Sequence, residues 1–403
     1  MKYSKEEIIQ YAREEDVKFI RLAFCDVFGR QKNIAIMPHE LARAFDDGIA
    51  FDASAIAGFG DEMFSDLLLH PDSDTLVPLP WRPEHGRVVQ MFTSITHPDG
   101  TPFRGDTRSL LRKAVEDAAA AGYEFTFGAE QEFYLFRLDE EGLSTKIPCD
   151  EAGYMDIAPD DRGENVRREI CLTLEQMGIY PESSHHEEGP GQNEIDFRYA
   201  GALKAADDAV NFQRVVRTIA NRNGFEADFS PKPLAGKPGN GFHINMSVRP
   251  FDDTGTFEHM IAGILKNARV MSAFLNPTED SYRRLGGHKA PAYISWSEQN
   301  RSQLVRIPAA SGEYRRAELR SPDPTANPYL AFTLMIYAAL EGITGRLRLG
   351  SPSDINLYTA DETVLSGYEK LPRSLEEART EASKSDFIRK YIPEDILKIY
   401  CGK

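Results

Sequence analysis

The chain has 403 residues, 41% apolar and 27% charged, a composition that fits a globular protein and excludes a disordered one. With 63 acidic against 47 basic residues the net charge is -16, which argues against nucleic acid or an anionic membrane as the main partner but leaves room for a local arginine cluster to hold a phosphorylated ligand. Cys25, Cys149, Cys171 and Cys401 form no C-x-x-C pair, so neither a thiolate zinc site nor a disulfide framework is expected.

The N-terminal MKYSKEEIIQYAREED is polar and amphipathic, without the apolar core of a signal peptide, and no apolar run reaches the length of a membrane span. A cytoplasmic protein is expected. VKFIRLAFCDVFG, KNIAIM and RVVQMFTSI read as strands between Pro and Gly punctuation, which suggests a small α+β domain over residues 1–99. The turn-rich HPDGTPFRGD, His97 to Asp106, reads as its boundary, and a larger domain spans 100–403. A helix follows, striped by Leu110, Leu111, Ala114, Val115 and Ala118. Val166, Ile170, Leu174 and Met177 stripe another. Ala209, Phe212, Val216 and Ile219 stripe a third, with Gly224 as its cap. Asn327-Pro328 has the form of an N-cap followed by proline at the first helical position, opening YLAFTLMIYAALEGI. The last sixty or so residues are charged and helical.

Four strand-like segments alternate apolar residues with chemically active ones. In GAEQEFYLF, Glu130 and Glu132 share a face opposite Ala129, Gln131, Phe133 and Leu135. NEIDF does the same with Glu194 and Asp196, GFHINMSV with His243, Asn245 and Ser247, and RRAELRS with Arg316, Glu318 and Arg320. ESSHHEEGPGQ adds Glu182 and Glu187. Each polar face alone reads as the wet side of an antiparallel sheet. Compared with one another they do not, because a wet face mixes Lys, Thr, Ser and Glu. Like charges side by side on strands repel. If these faces converge, glutamates and one histidine fit hard divalent cations such as Mg²⁺ or Mn²⁺, and paired ions clamp a transferring phosphoryl group. Arg301, Arg306, Arg316 and Arg320 would grip carboxylate or phosphate. There is no G-x-x-x-x-G-K-[ST] and no G-x-G-x-x-G opening a helix, and HHEEG is not H-E-x-x-H; His185 and His186 read as structural residues.

Eight segments in order, FCDVFGRQKNI, FDASAI, GAEQEFYLF, HHEEGPGQNEIDF, KPLAGKPGNGFHINMS, NPTEDSYRRL, NRSQLVRIP and RRAELRSPDPTANPYLA, make the chain resemble the type I glutamine synthetase family along nearly its whole length. The resemblance implies an N-terminal β-grasp-like domain and a larger α+β catalytic domain whose antiparallel sheet forms an active-site funnel between subunits of hexameric rings, commonly paired into dodecamers. It implies that ATP phosphorylates the side-chain carboxylate of glutamate and ammonia displaces the phosphate. It implies one metal held by Glu130, His243 and Glu318 and another by Glu132, Glu187 and Glu194. Gly239, Arg284, Arg301 and Arg320 would hold glutamate and the phosphoryl group. Glu182, Asn245, Ser247 and Arg306 would line the nucleotide site. Asp52 of a neighbouring subunit would take the proton from ammonium.

Departures cluster on the amine side. The family's flap G-Y-E-A-P is here Gly287-His288-Lys289-Ala290-Pro291, so a lysine stands where a glutamate receives ammonium, and a cationic substrate would be repelled unless Lys289 pairs with an acid. Pro238 replaces an asparagine, Asn245 a histidine and Ala55 a serine of the family pattern. Tyr358, in NLYTADE, stands where some members are adenylylated. IYCGK ends short of the family's usual tail, which makes a single hexameric ring an alternative to the dodecamer. Three readings stay open at this point: a glutamine synthetase with an altered ammonium gate, a γ-glutamyl ligase for an organic amine, and a non-catalytic relative serving assembly or regulation.

Overall fold

Two sheets organise the chain, which is described from a computed structural model over residues 3–60, 63, 65–82, 85–250, 255–287, 289–310 and 312–402. The first contains β1 (Val17–Cys25), β2 (Gln31–Ile36), β3 (Ile49–Asp52), β4 (Asp66–Pro71), β5 (Val77–Pro78) and β6 (Arg87–Thr96), in the order β2-β1-β6-β4-β3 with β5 also on β6. Its central pair, β1 and β6, is parallel and its other pairings are antiparallel, with α1 (Lys5–Glu14) and α2 (Leu41–Asp46) beside it. This is a β-grasp arrangement. Ile20, Leu22, Leu69, Met91 and Phe92 form its buried interior.

The second sheet carries β7 (Glu124–Leu138), β8 (Ser144–Pro148), β9 (Pro181–His186), β10 (Gln192–Phe197), β11 (Ala200–Gly201), β12 (Phe225–Asp228), β13 (Phe242–Arg249), β14 (Trp296–Glu298), β15 (Val305–Ile307) and β16 (Ala317–Leu319). Its path runs β14-β15-β16-β13-β7-β10-β9, with β8, β11 and β12 also on the long strand β7. All pairings are antiparallel except β14 with β15.

The apolar face of this sheet packs on helices α3 (Thr107–Ala120), α4 (Glu164–Gln176), α5 (Ala202–Arg222), α6 (Thr256–Leu275) and α8 (Pro328–Thr344), while the short α7 (Glu279–Arg284) carries Arg284 toward Gly239 and Gly241. Phe242, Ile244, Met246 and Val248 of β13 are at most 1% exposed, and Phe127 of β7 stacks on Phe332 of α8 at 4.3 Å. Nearly every side chain of α8 is buried, so its apolar run is a core helix. Asn327 Oδ1 accepts from the Tyr329 N–H ahead of Pro328, as its sequence predicts. Gly224, at φ +79°, follows the end of α5. Leu111, Ala114 and Ala118 of α3 are buried, but Val115 is 37% exposed, because it falls outside the arc that meets the sheet. After the short α9 (Glu362–Leu365), the C-terminal helices α10 (Leu375–Lys384), α11 (Asp386–Tyr391) and α12 (Glu394–Cys401) close one side of α6. The two parts are joined by polar contacts: Arg108 to Asp72, Gln90 to Asn211, and both Asn327 Nδ2 and the Tyr400 hydroxyl donating to the Val27 carbonyl.

Candidate active site

The four chemically patterned strands do converge. Registers place Glu194 beside Glu132, Asp196 beside Glu130, Glu130 beside His243, Asn245 beside Glu318, and Glu318 beside Arg306. The polar residues therefore form continuous cross-strand rows on the face away from α5 and α8. The face is not a wet one: Glu194 is 7%, His243 6%, Glu318 1% and Arg320 2% exposed.

At one end, His243 Nδ1 lies 3.4 Å from Glu130 Oε2 and 3.8 Å from Glu318 Oε1. Burial, with Arg320 nearby, pushes the His243 pKa down to about 4, so the imidazole is neutral and able to donate a lone pair. Glu318 is gripped from both sides, Oε1 accepting from Arg320 at 2.6 Å and Oε2 from Arg306 at 2.7 Å. The Nε atoms of Arg306 and Arg320 are buried without a hydrogen-bond partner among the described residues, which leaves each a donor to aim at an oxyanion. Arg284, also buried, donates to the carbonyls of Ser321 and Arg320.

At the other end, Glu132 Oε2 accepts from the Gly241 N–H at 2.7 Å and from Gln192 Nε2 at 3.4 Å. His185 stands between two acids, Nδ1 at 3.8 Å from Glu187 and Nε2 at 3.8 Å from Glu194. The Glu194 carboxyl is pushed well above the usual range, first by burial and then by Asp196, Glu132, Glu130 and Glu187 around it; burial raises that of Glu132 as well. Ligand atoms of Glu130, Glu194 and His243 lie within 4.8 Å of one another, and so do those of His185, Glu187 and Glu194. Self-repelling carboxylates joined by imidazole nitrogen are a donor set that fits a hard divalent cation. A third buried cluster, Asp150, Asp161 and His186, is already satisfied: His186 Nε2 meets Asp150 at 2.9 Å and Arg167 meets Asp161 at 2.6 Å. His186 is engaged structurally, as its sequence context suggests, while His185 stands beside the acidic row.

Beside Glu130 a cavity of about 180 Å³ collects Glu182, Asn245 and Ser247, together with Tyr199 and Arg316. Arg306 is not part of its lining and is turned toward Glu318 instead. Gly239 and Gly241 are close-approach points. A Cβ on Gly239 would sit 2.3 Å from the Pro231 carbonyl oxygen, and one on Gly241 would sit 2.6 Å from His243 Nε2 and 2.9 Å from Arg284 Nη2.

Three expected residues lie outside this rigid face. Arg301 is exposed in a turn, its carbonyl accepting from the Tyr358 hydroxyl at 3.0 Å. Lys289, in the flap loop at φ +64°, reaches Glu188 Oε1 at 2.5 Å and lies over the Tyr154 ring at 5.5 Å. Its neighbour His288 lies outside the described residues. Asp52 belongs to the N-terminal sheet and is exposed, with Ser54 N–H and Oγ–H donating to it, which lowers its pKa.

Gln192, Gly241, His185 and Glu188 were missed from sequence. Gln192 had a usable signal, since it shares the alternating face of Glu194 and Asp196. Gly241 and Glu188 had none, because their partners lie far away in sequence.

Comparison with known proteins places this geometry. Residues 16–98 match the family description "Glutamine synthetase, beta-Grasp domain" and residues 104–402 match "Glutamine synthetase, catalytic domain". Glutamine synthetase of Clostridium saccharobutylicum is 43% identical, covering 99% of this chain and 94% of its own. Those of Methanosarcina mazei and Staphylococcus aureus strain Mu50 are 43% and 42% identical, over 99% and 98% of this chain and 93% and 92% of theirs. Among solved structures, GmaS in complex with ADP superimposes with a TM-score of 0.88 at 28% identity, covering 98% of this chain and 94% of that one. GmaS without ligand gives 0.87 at 28% identity, with the same coverage. The fold and the site are those of an ATP-dependent carbon–nitrogen ligase. The chain belongs to the glutamine synthetase family.

Proposed function

We propose that the protein makes glutamine from glutamate and ammonia, with ATP activating the side-chain carboxylate through a γ-glutamyl phosphate. The observation that carries this reading is the row of half-buried Glu130 and Glu132 with buried Glu194 and His243, next to Glu318 and its two arginines.

Glu130, His243 and Glu318 would hold one divalent cation, Mg²⁺ or Mn²⁺, and Glu132, Glu187 and Glu194 another. Bound there, the cations would neutralise charge on the phosphates of ATP and on the transferring phosphoryl group. Arg320 and Arg306 present buried Nε–H donors, unpartnered among the described residues, beside Glu318, where fixed donors would stabilise developing negative charge. Arg284 and the close approach of Gly239 would shape the glutamate pocket, and Arg301 would reach the phosphoryl group from its turn. Glu182, Asn245 and Ser247 would line the nucleotide pocket, with Tyr199 offering a ring face. Asp52 would act from a neighbouring subunit, in a ring of six or a pair of such rings, as the base for ammonium. The chain would divide near residue 99 into its β-grasp and catalytic parts.

A second reading, a γ-glutamyl ligase for an organic amine, rests on Lys289. Its ammonium group is compensated by Glu188, so the barrier to a cationic substrate is smaller than an unpaired lysine would raise. That removes the charge argument against ammonium on which the second reading rests. The test is phosphate release from ATP with Mg²⁺ and glutamate, with ammonium, with a panel of primary amines, and with neither. Turnover with ammonium supports glutamine synthesis. Turnover only with an organic amine supports the second reading. No turnover with any of them counts against both.

A further inference from the structure

α5 turns Gln213, Arg214, Arg217 and Asn221 to one side, at spacings of three and four residues. This stripe holds two arginines a turn apart and no acid. It forms one wall of a cavity of about 1300 Å³ whose other wall is the Phe28–Asn33 turn of the N-terminal sheet. The charged lining is Arg30, Lys146, Arg214 and Arg217 against Glu226 and Asp228. Both acids are already engaged by Lys146, at 2.9 and 3.0 Å. Among the described residues, none of the three arginines is in an ion pair. Arg214 Nη1 donates instead to the amide oxygen of Gln90 and lies 3.5 Å from that of Gln31, and its guanidinium rests over Trp81. Burial, then the charges of Arg82 and Arg21, hold its pKa down to about 10. Arg217 is lowered too, by burial first, with Arg30 adding to the effect and Asp228 and Glu226 opposing it. In a chain of net charge -16, a cavity lined by four cations and two acids, both acids held by Lys146, keeps an excess of positive charge that an anion would offset.

The cavity is wired to the catalytic strand from behind. Gln213 Nε2 donates at 2.8 Å both to Gln131 Oε1 and to the Pro324 carbonyl. Gln131 stands between Glu130 and Glu132 and points to the opposite face of β7. A ligand that moves Gln213 therefore pulls on the strand carrying the acidic row.

We propose that this cavity is a second, regulatory site for a small oxyanion ligand with two or more negative charges, a phosphate ester or a dicarboxylate, and that Gln213 and Gln131 relay its occupancy to β7. Arginine forks take either oxyanion in two-point contacts.

The full-length protein, with its nucleotide site first saturated by Mg²⁺ and a non-hydrolysable ATP analogue, is titrated calorimetrically with glycerol 3-phosphate and, separately, with succinate. At least one binds, with affinity falling as salt rises and dropping tenfold or more in Arg217→Ala and in Arg30→Ala, with the melting curve of each variant recorded to show that it is folded. Gln213→Ala retains binding but abolishes the ligand's effect on the KM for glutamate. Binding of glycerol 3-phosphate alone identifies a phosphate ester, and of succinate alone a dicarboxylate. Absence of binding by both probes, or affinity unaltered in Arg217→Ala and Arg30→Ala, overturns the proposal. Because the readout is binding, this outcome is independent of whether the protein turns over ammonium.

Discussion

Glu318→Gln separates the charge balance of the site from its chemistry. The Glu318 carboxylate is 1% exposed and splits its oxygens between Arg320 at 2.6 Å and Arg306 at 2.7 Å, with His243 Nδ1 3.8 Å away. Glutamine keeps one acceptor oxygen but turns an NH₂ group toward the other guanidinium, and it leaves that buried cation without its counter-charge. Removing one partner of a buried ion pair costs about 3–5 kcal/mol, less roughly 1 kcal/mol for the hydrogen bond retained. A loss of about 2–4 kcal/mol lowers the melting temperature by roughly 3–6 °C in a domain of about 300 residues. Calorimetry measures the melt, and the free-ion signal in electron paramagnetic resonance measures Mn²⁺ affinity. We expect both to fall, along with phosphate release. An unchanged melt together with unchanged Mn²⁺ affinity would refute the reasoning, since it would mean that the carboxylate carries neither the arginines nor the cation. A lower melt with unchanged Mn²⁺ affinity would leave Glu318 as an anchor for the arginines alone.

Further predictions concern the other parts of the molecule. Gly241→Ala should reduce phosphate release by at least tenfold, because its Cβ would meet His243 Nε2 at 2.6 Å and Arg284 Nη2 at 2.9 Å, two buried groups with little room to move; steady-state kinetics checks this. Lys289→Glu replaces a half-exposed ion pair with like charges at the flap. An exposed pair is worth about 0.2–1 kcal/mol, so the KM for ammonium should fall by up to roughly fivefold at low salt, with the difference shrinking as salt rises. Adding Mn²⁺ at about a hundred times its dissociation constant should stabilise the protein by about 2.7 kcal/mol, read as a shift in the denaturation midpoint. Asp208, on α5, has its pKa raised to about 6 by burial, against the partial relief of Lys204. A carboxyl raised on folding gives up protons less readily in the folded state, so it weakens the fold as pH rises from about 4 to above 6. The stability of Asp208→Asn relative to the parent should therefore increase over that window by roughly 3 kcal/mol, as denaturant titration at several pH values would show.

Much of this protein was written in local pattern. Alternation gave the two-faced strands, and period and capping residues gave the helices, because both depend on neighbours two to four residues apart. The faces named from sequence, Glu130 with Glu132, Glu194 with Asp196, and His243 with Asn245, are the faces the sheet brings together. Motif order carried the family as well. What the chain order does not contain is register and distance. Only pairing of β7 with β10 and β13 sets Glu132 beside Glu194 and Glu130 beside His243. Only the packed sheet turns Arg306 from the nucleotide cavity to Glu318, and puts His185 between Glu187 and Glu194. The charge of Lys289 was legible and its consequence was not, since its counter-ion Glu188 lies a hundred and one residues away. Side-chain chemistry and periodicity are properties of the sequence; the meeting of charges across strands and loops is fixed by long-range packing, and the field at this site is the sum of those meetings.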